Sequence, residues 1–187
     1  MARSKIDIFN LALAKIGSIA ISDPDGAAKG AEYCTIFYDE IRQEVLREHP
    51  WNFATKRIAF AEAAAEPDFG YDYAYSLPAD CLFVRHLSEE KYKWVVESGE
   101  LLTDMEGAKA IYTRDIDDPN DFDPLFVGAF ATRLAAEVVA ALKPQDGSKR
   151  KILWEMYEII LNRAKTANAK ERKKKPEPKN AFVDARQ

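Results

Sequence analysis

Apolar positions recur at helical spacing from the start of the chain, where Ile6, Phe9, Leu13 and Ile16 share one face of a segment running from about Lys5 to Gly17. Ser4 and Asp7 stand in capping-box spacing at its start, and Gly17 closes it. Beyond the turn-rich SDPDG, a second helix is expected from about Ala27 to Glu48, with Cys34, Tyr38, Ile41 and Val45 forming one stripe at alternating four- and three-residue steps. Pro50 ends it, because the residue before a proline is pushed away from helical dihedrals. The third helix has Asp123 as N-cap and Pro124 at its first position, followed by LFVGAFATRLAAEVVAAL. Arg133 and Glu137, four apart, are its only charges, so it belongs at a bundle centre or between subunits. Those charges, with Thr132 and the dominance of alanine, argue against a membrane span. After KPQDG, a fourth helix from about Ser148 to Arg172 is expected to bury Leu153, Met156, Ile160, Ala164 and Ala167. Ile152, Trp154, Ile159 and Leu161 widen that stripe beyond one partner face, which marks Ile159 and Leu161 as subunit-interface residues.

Between the second and third helices the period changes. CLFVRHL, KWVVE and AIYTR are short β-branched or aromatic runs, and Ser98-Gly99 marks a hairpin between Val96 and Leu101. Past Arg172 two prolines and little apolar content predict no fold of its own. The expected class is α+β, mainly α: a four-helix bundle from 1–50 and 120–172, a small antiparallel β insertion at 51–119, and an extended C-terminal tail at 173–187.

At 187 residues and 47% hydrophobic the chain can bury a proper core. Its 27 Lys+Arg against 31 Asp+Glu leave a formal −4, so the surface as a whole does not attract nucleic acid. The exception is Arg163–Lys179, with eight basic residues and two acidic ones. Three readings of it stand: a solvated helix end, phosphate contacts, or a tail that docks on protein, in which Lys173, Lys174 and Lys175 meet acidic surface and Phe182 and Val183 anchor. The N-terminal segment is broken by Asp7, Asn10 and Lys15, unlike a signal peptide.

Candidate chemistry is thin. Cys34 and Cys81 sit in apolar surroundings as expected of buried reduced thiols, and no nucleophile signature pairs either with His49 or His86. The acidic run from Asp115 puts Pro119, Asn120 and Phe126 at the fifth, sixth and twelfth places, where a calcium loop needs an oxygen ligand, a glycine and a glutamate. No enzyme activity, metal or cofactor is expected. Trp51 and Phe53 follow a helix stop and read as core anchors rather than a base-stacking platform.

Several blocks in order carry more than any constellation: NLALAKIG (10–17), YDEIRQEVLREHPWNFATKR (38–57), YDYAYSLPADCL (71–82), WVVESGELLTD (94–104), YTRDI (112–116) and FDPLFVGAFATRLAAEVV (122–139). Together they resemble the tail tubular protein A, or head-to-tail adaptor, family of short-tailed bacteriophages. Members often place a basic residue straight after the LPADCL block, whereas here Phe83 stands there and Arg85 comes later. The resemblance implies a virion structural protein at the head–tail junction, assembled in the host bacterial cytoplasm. It implies a ring of about twelve copies beneath the portal, receiving the tail nozzle and passing DNA through its channel. Trp51, Phe53, Pro78, Asp123 and Pro124 then serve as structural anchors, and the tail docks on the portal. A DNA-binding accessory protein using the basic tail is the alternative.

Overall fold

The computed structural model describes residues 3–61 and 67–171. Helix α1 (Lys5–Lys15) opens on a complete capping box: the Ser4 hydroxyl accepts from the Asp7 amide, and the Asp7 carboxylate accepts from the Ser4 amide. Gly17 follows with φ +65°, the left-handed turn that lets the Ser18 amide reach back to the Leu13 carbonyl. Helix α2 (Lys29–Arg47) buries the expected Cys34, Tyr38, Ile41 and Val45. In α1 the buried set is Ile8, Phe9, Ala12 and Leu13, with Ile6 only half-buried, because two neighbouring elements rather than one cover the helix.

Helix α3 (Pro124–Leu142) starts where Asp123 accepts from the Leu125 and Phe126 amides, with Pro124 filling the first position. It is long and apolar enough to cross a membrane by composition, but its apolar surface is packed against α1, α2 and α4 (Gly147–Lys170). Its one buried cation, Arg133, reaches Glu44 on α2 at 2.8 and 3.0 Å and Glu137 at 2.5 Å, and lies 4.0 Å from the Trp154 ring centre on α4. A single charge on the hub helix thereby touches both of its larger neighbours.

The middle of the chain corrects the expected fold class. Strands β1 (Thr55–Ala59), β2 (Tyr73–Ser76), β3 (Cys81–Leu87), β4 (Trp94–Glu97), β5 (Glu100–Thr103) and β6 (Lys109–Arg114) form two three-stranded antiparallel sheets, ordered β1-β6-β3 and β2-β5-β4. Among the described residues 46% are helical and 18% lie in strands, so the strands are a substantial part of the fold and not a small insertion in a four-helix bundle. They also hold a core of their own, from Phe60, Tyr75, Val84, Leu87, Leu101, Met105, Ala108 and Ala110. The physical reason for the shortfall lies in strands such as TKRIA and ELLT, which are too short and too polar to announce themselves. The hairpin between β4 and β5 forms at Ser98-Gly99, with φ +50° and +83° as a two-residue turn of this kind requires.

Candidate assembly surfaces

The HPWNF block is a joint. Trp51 is 1% exposed and its indole N–H donates to the Val45 carbonyl at 2.9 Å, folding the chain back under α2. Its ring meets Phe126 edge-on at 5.3 Å, and Phe53 meets the same ring at 5.0 Å, so both aromatics are core anchors. Between them, Asn52 faces Asn168 on α4: the Asn52 amide donates to Asn168 Oδ1 at 2.8 Å, and Asn52 Nδ2 donates to the Asn168 carbonyl at 2.9 Å. Asn168 Nδ2 also lies 2.9 Å from His49 Nε2. His49 is therefore part of a hydrogen-bonded clasp that fixes the far end of α4 against the exit of α2. Asn168 escaped the sequence reading because a lone asparagine near a helix end carries no periodic signal.

The LPADCL block turns the chain from the second sheet into the first. The Cys81 amide donates to the Pro78 carbonyl at 2.8 Å, closing the turn. Asp80 accepts from Tyr112 Oη at 2.8 Å and pairs with Lys56 Nζ at 3.0 Å. Partial burial opposes ionisation, but these two donors outweigh it and hold the Asp80 carboxyl below the ordinary carboxylate range. Phe83 lies against two guanidinium groups, with Arg47 4.9 Å and Arg85 4.6 Å from its ring centre. Arg85 also donates to the Leu46 and Arg47 carbonyls and to Thr113 Oγ1, so it caps the C-terminus of α2 and ties that helix to the first sheet.

The two proposed interface residues separate. Leu161 is 2% exposed and belongs to the helical core, whereas Ile159 is 70% exposed. The inner stripe of α4 is Leu153, Tyr157, Leu161, Ala164 and Asn168, rotated from the expected one, which placed Met156 inside. Ile160 and Ala167 are half-buried at its edges. Outside, Ile152 at 50%, Met156 at 39% and Ile159 at 70% exposure follow one another at four- and three-residue steps, leaving an apolar line facing away from the protein.

A second surface was not expected. On the outer face of the first sheet, Arg57 of β1 and His86 of β3 stand directly opposite Ile111 of β6, and Lys109 lies two residues along β6 on the same face. The concavity beside them measures about 620 Å³ and is bordered by Arg57, Arg85, His86, Asn52 and Thr55. These basic residues are spread over more than fifty positions of sequence, so only the strand pairing assembles them.

Cys34 and Cys81 are both free, and burial pushes the Cys34 thiol up to about 12, which leaves it inert as a nucleophile at neutral pH. Among the described residues no group of three or more His, Cys, Asp or Glu side chains could hold a metal ion. In the acidic run, Asp115 instead accepts from Arg42 and from Gln43, Asp118 turns the chain at Asn120, Asp121 pairs with Arg114 and Asp123 caps α3. The proposed docking residues Lys173, Lys174, Lys175, Phe182 and Val183 lie outside the described residues. Compared with protein-family models and with curated proteins, the chain matches none.

Proposed function

We propose that the protein is a virion structural component: a ring-shaped head-to-tail adaptor of a short-tailed phage, set between portal and tail nozzle with a channel for DNA. The observation that carries this reading is the outward apolar line Ile152, Met156 and Ile159 on a helix whose other face is already occupied by α3. A helix that has filled its own core position and still exposes three large apolar side chains in register is built to be covered by another protein. The family resemblance adds to this. Its blocks take in His49 and Asn52 of the clasp, the Pro78–Cys81 turn and the capped start of α3, which are positions that hold this architecture together.

Ring closure needs two different patches meeting on successive copies, since a heterologous contact repeats until the rotation closes. The portal partner is assigned to the tail, where basic residues steer and Phe182 and Val183 anchor. Native mass measurement of the full chain, alone and mixed with the portal protein of the same virus, tests the reading. A closed oligomer of defined mass, formed alone or on the portal, is expected. A chain that stays monomeric in both cases, or one that binds DNA with a steep salt dependence and ignores the portal, would overturn it in favour of the DNA-binding alternative.

A further inference from the structure

The outer face of the first sheet gathers like charge without relief. Arg57, His86 and Lys109 are exposed and surround Ile111, and their side chains have no hydrogen bond or ion pair to any described residue. Arg85, at the edge of the same concavity, is engaged with carbonyls and Thr113, so no carboxylate offsets it either. A cationic cluster without counter-charge on a chain of net −4 is a cost that an anionic partner removes.

The opposite imbalance sits at the hairpin tip. Glu97 and Glu100 are paired directly across β4 and β5, both exposed, and neither has a salt bridge among the described residues. Like charges directly opposite on neighbouring strands destabilise a hairpin. The tip thus presents two carboxylates, and the sheet face presents basic side chains around an apolar residue.

On the premise that the protein assembles as a ring, we infer that the Glu97–Glu100 hairpin tip of one copy seats in the Arg57–His86–Lys109 face of the next. The two patches lie on different sheets and are not paired with each other within the chain, which is the arrangement a heterologous, ring-closing contact needs. A narrow two-residue turn fits a concavity of about 620 Å³ as a single inserted element. A nucleic acid is the poorer occupant, because the cations form one compact cluster around Ile111 rather than a track along a phosphate backbone. The apolar line of α4 contributes strength to assembly, and this charged contact sets register and direction.

The test exchanges charge between the two patches in the full chain. Arg57→Glu with Lys109→Glu makes one variant, and Glu97→Lys with Glu100→Lys the other. All four sites are exposed, and thermal melting by circular dichroism checks that both variants fold. Wild type, each variant, an equimolar mixture and the fourfold variant are followed by sedimentation, alone and with the portal protein. Each variant alone should lose about tenfold or more in assembly affinity, and the mixture and the fourfold variant should recover it, since only they restore opposite charges at every junction. Wild-type assembly by both variants, or loss without recovery on mixing, would overturn the pairing while leaving the ring itself standing. Failure of the wild type to assemble would instead remove the ring and this contact together. Loss of affinity for a short DNA duplex with assembly unchanged would reassign the sheet face to nucleic acid.

Discussion

Asn168 illustrates how a single side chain can join elements distant in sequence. Its amide bonds with Asn52 and contacts His49 across 116 and 119 positions, in a site that is 8% exposed. Asn168→Ala should leave the Asn52 amide without its acceptor and cost about 1–3 kcal/mol, read as a lower urea midpoint. Hydrogen exchange should rise first in the last turns of α4, which the clasp secures. Asp80 gives a second, pH-dependent expectation. Its folded pKa is depressed, so the stability it contributes is present above the unfolded value and is lost as pH falls through the folded one. Asp80→Asn should therefore flatten part of the acid-side decline below about pH 4, seen by urea unfolding across a pH series.

At the scale of elements, α4 decides which apolar residues belong to the protein's interior and which are left for a partner. Leu161 and Ile159, two apart, point to different sides. Leu161→Ala should cost about 2–4 kcal/mol through the cavity it leaves in the helical core. Ile152→Glu with Ile159→Glu should instead fold with a thermal midpoint close to wild type, because neither side chain is packed inside, and should weaken oligomer formation in sedimentation. A folded double variant that assembles at wild-type strength would sink the α4 surface. The sequence pattern could not make this division. A run such as ILWEMYEIIL is apolar on more than half of its circumference, and the choice of inner face depends on where α3 lies.

For the whole molecule, the helical and β parts hold separate cores that are joined by specific polar contacts. Arg85 bonds to the end of α2, and the Arg114 amide donates to the Ala54 carbonyl at 2.8 Å. The tail from Lys173 to Gln187 follows both in the sequence. Truncation after Arg172 should leave a folded protein that binds the portal far more weakly, and Phe182→Ala should reproduce part of that defect in a pull-down or by interferometry. The basic run would contribute mainly to the rate of encounter, so the loss should shrink as salt rises. Unchanged portal affinity with lost DNA affinity would transfer the tail to nucleic acid.

What the sequence determined by itself was local. The Ser4–Asp7 box, the Gly17 stop, the Asp123-Pro124 start and the Ser98-Gly99 hairpin are legible because a few adjacent residues fix their own backbone. The stripe of α2 was legible because one face is buried throughout its length. Only the tertiary structure decided that the middle forms two sheets with their own core, since strands of four or five residues gain their stability from partners far away in the chain. It alone turned the face of α4, closed the Asn168 clasp and brought Arg57, His86 and Lys109 together, because each depends on which distant element comes to lie alongside.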